Sequence, residues 1–190
     1  EEVDALRSFL NEGGKWFGLH GTNALIEFVG EMQIVDGLEI PGKTDTPNKN
    51  PELMKLLGSR FVAHPPNMSI KVKVNDKSHP ITKDLNDFEI FDEPYYCEFS
   101  DGIKVLLESR YTDDANAYVH SSWKEDIPRP QMYLHKVGKG GVLYLMLGHC
   151  RGKYDMRPFM DECPVDRGGW ESEAFYELLR RGIKWGINKI

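Results

Sequence analysis

Two apolar runs joined by a glycine-rich tetrapeptide constrain this chain more than any other stretch. They read Met132-Tyr133-Leu134-His135-Lys136-Val137, then Gly138-Lys139-Gly140-Gly141, then Val142-Leu143-Tyr144-Leu145-Met146-Leu147. Strand-forming residues on both sides of a glycine turn predict an antiparallel hairpin over 132–147. The same glycines could be read as a phosphate cradle. A turn between two strands explains them better, because no Gly-x-x-x-x-Gly-Lys pattern and no dinucleotide fingerprint occur in the chain. No nucleotide cofactor is expected.

Around the hairpin, strand and helix patterns alternate. Val3, Leu6, Phe9 and Leu10 follow helical spacing, acids crowd the first turn, and Gly13-Gly14 stops the helix. Lys15–Leu19 reads as a short buried strand. After His20-Gly21-Thr22-Asn23, the segment Ala24–Val29 reads as a helix capped by Thr22 or Asn23. Residues 30–50 are a long polar connection. Pro51–Leu57 reads as a short helix ending at Gly58. Strands are predicted at 69–74, 88–91 and 103–107, a loop over 111–130, and a helix over 171–187. Such alternation predicts an α/β sandwich with a mainly parallel sheet. A helix at the very start should follow a strand in such a sheet, so an earlier segment is expected before residue 1.

The chain has 190 residues, enough for one domain over 1–190 with a real core. With 24 Lys and Arg against 30 Asp and Glu, its net charge is −6, which disfavours nucleic acid as a partner. No apolar run reaches the roughly 18 residues of a membrane span. Cys97, Cys150 and Cys163 form an odd set without metal-finger spacing, so a disulfide framework is not expected. A cytoplasmic placement is the default reading, with a signal peptide upstream of residue 1 left open.

Polar side chains stand just past several strand ends: His20 after 15–19, Asp92 and Glu93 after 88–91, and His149 after 142–147. Ligands of open α/β sheets bind at the carboxyl ends of strands, so these groups are candidates for one site. His64, before Pro65-Pro66, is a further candidate. Each also has a structural reading, as a backbone hydrogen-bonding group or a strand end meeting solvent. His79 reads as a turn residue, and His120 and His135 as strand or loop positions. Tyr95 and Tyr96 are either a wall on which a sugar stacks or part of the core. Cys150 beside His149 points to the opposite face of its strand and is a poor nucleophile candidate. No Gly-x-Ser-x-Gly elbow is present.

Several stretches, taken in order, resemble the trehalose-utilisation (ThuA-like) family. They are Phe9-Leu10-Asn11-Glu12-Gly13-Gly14 with Gly18-Leu19-His20-Gly21, Phe61-Val62-Ala63-His64-Pro65, Asn75-Asp76-Lys77-Ser78-His79-Pro80-Ile81-Thr82, Phe88-Glu89-Ile90-Phe91-Asp92-Glu93-Pro94-Tyr95, and Gly138-Lys139-Gly140-Gly141-Val142 leading to Leu147-Gly148-His149. The resemblance implies the fold of class I glutamine amidotransferases: a flavodoxin-like three-layer sandwich with a mainly parallel sheet. It also implies an N-terminal strand–helix–strand section ahead of residue 1. In those amidotransferases a Cys nucleophile occupies the turn where this chain has His20. A His-x-Glu pair occupies the place where it has His149 and Arg151. Without the thiol and the orienting acid, glutamine hydrolysis is not expected. The chain also departs from the family at Gly-Lys-Gly-Gly and over Pro128–Tyr133.

The resemblance implies a role in carbohydrate metabolism, on trehalose or a related glycoside. One reading is an enzyme acting on a sugar or keto-sugar, with His20, His149 and Glu93 catalytic and Tyr95, Tyr96 and Asp92 contacting substrate. A divalent, zinc-like metal would be held by His20, His64, Glu93 and His149. The alternative is a non-catalytic carbohydrate-binding module in which Tyr95, Tyr96 and Trp123 supply stacking faces. A third reading is a structural partner domain in a larger chain. The partner expected on the first two readings is a small sugar. A second copy of the chain, or the N-terminal segment, would complete the sheet.

Overall fold

The computed structural model describes residues 1–190 apart from 36, 37, 41 and 159. Helix α1 (Glu2–Asn11) turns at Gly13-Gly14 into strand β1 (Lys15–Leu19), which ends in a 3-10 turn at His20–Asn23. Four short strands follow: β2 (Glu27–Val29), β3 (Gln33–Val35), β4 (Leu38–Ile40) and β5 (Lys43–Asp45). Helix α2 (Pro51–Leu57) precedes β6 (Ser59–Ala63), β7 (Met68–Val74), β8 (Phe88–Asp92), β9 (Tyr96–Phe99) and β10 (Lys104–Ser109). The hairpin is β11 (Arg129–Val137) with β12 (Gly140–Leu145), and helix α3 (Glu173–Gly186) comes last.

Six strands form one sheet in the order β1-β12-β11-β10-β7-β8. Only β1 and β12 are parallel; the other four pairings are antiparallel. The expectation of a mainly parallel sheet is therefore corrected. A parallel pair needs a crossover, usually through a helix. Among the described residues no α-helix lies between β6 and the end of β12, so consecutive strands simply reverse. The one long crossover, from β1 round to β12, makes the one parallel pair. β6 and β9 form a separate antiparallel ribbon.

The expected helix over Ala24–Val29 is also corrected: Glu27–Val29 is a strand paired with β5. Both candidate caps are engaged elsewhere. Thr22 Oγ1 donates to the Leu19 carbonyl and accepts from its N–H. Asn23 is buried and its Nδ2 donates to Ser59 Oγ. With no side chain left to cap the first free N–H groups, a helix has no start here. Likewise residues 30–50, expected as one polar connection, carry strands β3 to β5; positions 36, 37 and 41 of that stretch lie outside the described residues. Helix α2 matches its sequence signals closely. Asn50 Oδ1 accepts from the Leu53 N–H, Pro51 stands at the first turn, and Gly58 takes the left-handed φ of +86° that ends it.

Strand β12 and its extension lie at the centre of the molecule. Val142 through Leu147 are all essentially excluded from water. Helices cover both faces. Phe17 of β1 packs toward Gly182 of α3, while its neighbour Gly18 faces Tyr144, which stacks on Tyr133. The Tyr133 hydroxyl donates to Leu57 O at the end of α2, so α2 and α3 lie on opposite sides. Cover on both sides explains why 142–147 reads as an unbroken apolar run instead of an alternating one. β1 is an edge strand: among the described residues it pairs with β12 alone.

Two hairpin glycines have distinct reasons. Gly138 adopts a φ of +57° in the turn. Gly140 approaches the turn between α1 and β1 so closely that a Cβ would lie 1.9 Å from Gly14 O and 2.6 Å from Leu10 O. Both contacts are backbone, which cannot rotate aside. The Gly140→Ala variant is expected to lose about 1–3 kcal/mol of stability, the usual cost of overpacking. Denaturant melts measure it, and a midpoint equal to wild type would contradict this packing.

Candidate functional site: three imidazoles around one carboxylate

Strands β1, β8 and β12 run the same way, so their carboxyl ends share one edge of the sheet. His20, Glu93 and His149 lie just beyond those ends, and His64 lies just beyond β6. The structure brings all four together. Glu93 Oε2 faces His20 Nε2 at 3.2 Å. Glu93 Oε1 faces both His64 Nε2 and His149 Nδ1 at 3.3 Å. One atom each from His20, Glu93 and His149 fall within 4.8 Å of one another, a spread that a single metal ion could span; His64 reaches this group only through Glu93.

Each ring is oriented by its other side. His20 Nδ1 donates to Met146 O at 2.9 Å, and His64 Nδ1 donates to Pro65 O at 2.7 Å. The rings therefore present Nε2 to the carboxylate. Tyr95 lies over His20 with ring centroids 4.3 Å apart, and Tyr118 meets the edge of His64 at 5.0 Å. His20 itself has a φ of +40°, unusual for a residue with a Cβ. Tyr144 holds that turn: its hydroxyl donates to His20 O at 2.6 Å and accepts from the Asn23 N–H at 2.8 Å. Backbone strain of this kind persists only where surrounding contacts over-determine it.

The electrostatics follow from the crowding. Burial alone would push Glu93 up, but hydrogen bonds from His149 and His20 and the charge of His64 hold its carboxyl well below the ordinary range. The hydrogen bond to Glu93 raises His149, against the effect of burial. Burial lowers His64 in spite of Glu93.

Two expected contact residues have different jobs. Asp92 is fully buried, and its carboxylate accepts three backbone N–H groups: Glu93 at 2.7 Å, Gly148 at 2.9 Å and His149 at 3.0 Å. Burial pushes its carboxyl up, and those donors offset this only in part. With its oxygens engaged, Asp92 is an anchor of the site and not a substrate contact. Tyr96 is fully buried, stacks flat on Trp123 at 4.5 Å and donates to Asp113 O. It leaves the wall to Tyr95, which precedes β9 and lies over His20. Elsewhere, His79 is the turn residue its sequence suggested: its Nδ1 accepts the Ile81 N–H. His135 contacts Lys55 O, away from the cluster. Tyr118, Asn67 and Asp166 border the site and carry no sequence signal that marks them.

The family model for ThuA, trehalose utilisation, matches residues 41–163. The chain belongs to the ThuA family. The matched segment contains His64, Glu93 and His149; His20 precedes it. Among solved structures, a ThuA-like protein from Bacteroides uniformis is 19% identical with a TM-score of 0.62, covering 97% of this ThuA chain and 63% of its own. A ThuA-like protein from Parabacteroides merdae is 18% identical with a TM-score of 0.56, covering 94% and 62%. A cytoplasmic protein from Salmonella typhimurium is 12% identical with a TM-score of 0.52, covering 96% and 59%. At such identities the likeness concerns the fold alone, and the chain spans less than two thirds of each of these proteins. No curated protein matches it. Among the described residues no helix is long and apolar enough to cross a membrane.

Two outcomes test this geometry. Removing the anchor in Asp92→Ala leaves three N–H groups without their acceptor and is expected to cost at least about 2 kcal/mol in chemical denaturation. The second concerns pH. His149 is raised in the fold, so its pairing stabilises fully below 6.5 and is lost as pH rises through the raised value. In metal-free protein, the melting-temperature gap between wild type and His149→Gln should therefore shrink as pH climbs above 6.5. A gap that widens instead would contradict the pairing.

Proposed function

We propose that this ThuA-family chain acts on a sugar or a carbonyl derivative of one, with a divalent, zinc-like cation held by His20, Glu93 and His149. The observation that carries this reading is the convergence of donors: one ligand atom each from His20, Glu93 and His149 lies within 4.8 Å of the others. The tied Nδ1 of His20 supports it too, since ligating imidazoles donate their other N–H to a protein acceptor. A mixed nitrogen and carboxylate donor set suits zinc or a similar ion.

Such a cation polarises a carbonyl oxygen or lowers the pKa of bound water. The chain's own residues supply the rest. His64, made less basic by burial and tied through Nδ1, turns its Nε2 to Glu93 and serves there as a proton-exchanging group. Tyr95 closes the wall behind His20. The family description, trehalose utilisation, supports a sugar as substrate. The non-catalytic module has less support: Tyr96 and Trp123 stack on each other, and Tyr95 on His20, so the three rings offer no shared platform. A glutaminase reading has neither thiol nor orienting Glu at the matching positions. A flavodoxin-like layering rests on the parallel β1–β12 pair and on helices covering both faces; the outer edge of β1 is where a second copy or another strand would extend the sheet.

Elemental analysis of purified protein, with melts in the presence and absence of chelator, tests the proposal. About one equivalent of metal is expected, and a chelator-induced drop of about 5–10 °C if the ion is bound at a hundred times its dissociation constant. His20→Ala and His149→Ala should each lose the metal. Absence of metal together with identical melts would overturn it.

A further inference from the structure

His149 stands between two carboxylates. Its Nδ1 faces Glu93, while its Nε2 faces Asp166 Oδ2 at 3.7 Å. That Nε2 is buried and has no hydrogen-bond partner. A buried ring nitrogen without a partner is costly. The carboxylate opposite is firmly held. Asn67 Nδ2 donates to Asp166 Oδ2 at 2.5 Å, and the Gly168 N–H donates to Oδ1 at 2.9 Å. The Asp166 backbone exchanges hydrogen bonds with Arg151 at 2.7 and 3.0 Å. Pairing of residue 166 with residue 151 brings this carboxylate beside His149.

The three rings then follow one rule. His20 and His64 each give one N–H to a fixed backbone acceptor and turn the other nitrogen to Glu93. His149 lacks a backbone acceptor and has Asp166 in that place. We propose that Asp166 is a positioning residue that accepts the Nε2–H of His149 and so turns Nδ1 toward Glu93 and the cation site. An approach of somewhat under 1 Å brings 3.7 Å to the about 2.8 Å of such a bond. As far as it concerns the cation, this rests on the function proposed above; the hydrogen bond itself does not.

The experiment reads both separately. Long-range 1H–15N spectra of the histidine rings should show a slowly exchanging Nε2–H on His149, with and without zinc. Asp166→Asn should abolish it, Asp166→Glu should restore it, and unchanged His20 and His64 signals report an intact site. Where zinc binds, Asp166→Asn should weaken its affinity by about ten- to a hundredfold, with Asp166→Glu recovering most of the loss. No Nε2–H on wild-type His149, or one that Asp166→Asn leaves in place, overturns the positioning role. A wild type that binds no zinc yet shows the Asp166-dependent signal overturns the cation and retains the positioning role.

Discussion

The Asp92 carboxylate joins two parts of the sheet that strand order keeps apart. Three strands lie between β8 and β12, so their ends would stand about 19 Å apart in a flat sheet at about 4.8 Å per step. Yet Asp92 accepts hydrogen bonds from Gly148 and His149, immediately past β12. The sheet must curl for this to happen. Curling is easy here because β10 and β7 share only a short ladder, Leu107 with Val74 and Glu108 with Lys73. Beyond it the paired β7 and β8 are free to bend together toward β12. Once the edge is drawn together, Glu93 is delivered beneath the rings of His20, His64 and His149. The cluster thus depends on a buried anion that touches no ring.

The segments that converge on Glu93 are legible in the sequence, but the division of labour inside them is not. In both Asp92-Glu93 and Tyr95-Tyr96 the sequence offers adjacent residues to the ligand. In each pair only one member faces the cluster. Glu93 meets the imidazoles while Asp92 takes the backbone, and Tyr95 meets His20 while Tyr96 meets Trp123. Which member of a pair turns inward depends on register, and register is set by partners distant in the chain.

Legibility elsewhere followed the range of the forces involved. The hairpin, α2 and α3 were readable because glycine turns, caps and helical periodicity act within a few residues. The direction of the sheet was not. The expected parallel order came from family likeness and strand–helix alternation, whereas the stretch from β7 to β12 contains no helix to carry a crossover. The false helix at 24–29 failed for a related reason: its cap residues were taken by Ser59 and by the backbone of Leu19. Asn67, Tyr118 and Asp166 enter the site from loops, and contacts such as Asn67 with Asp166 and Tyr118 with His64 join residues far apart in the chain.

The cluster also carries an internal tension that bears on its role. A fully buried aspartate and an almost fully buried glutamate sit in one corner, beside a histidine with positive φ. Each departs from what stability alone favours. The rings cannot relieve the charge freely, since burial opposes protonation of His64 while Glu93 promotes that of His149. Protons therefore neutralise the site unevenly, His149 being raised and His64 lowered. A divalent ion among His20, Glu93 and His149 would balance the anion without protonating any ring. That is the physical reason to expect such an arrangement to bind a cation.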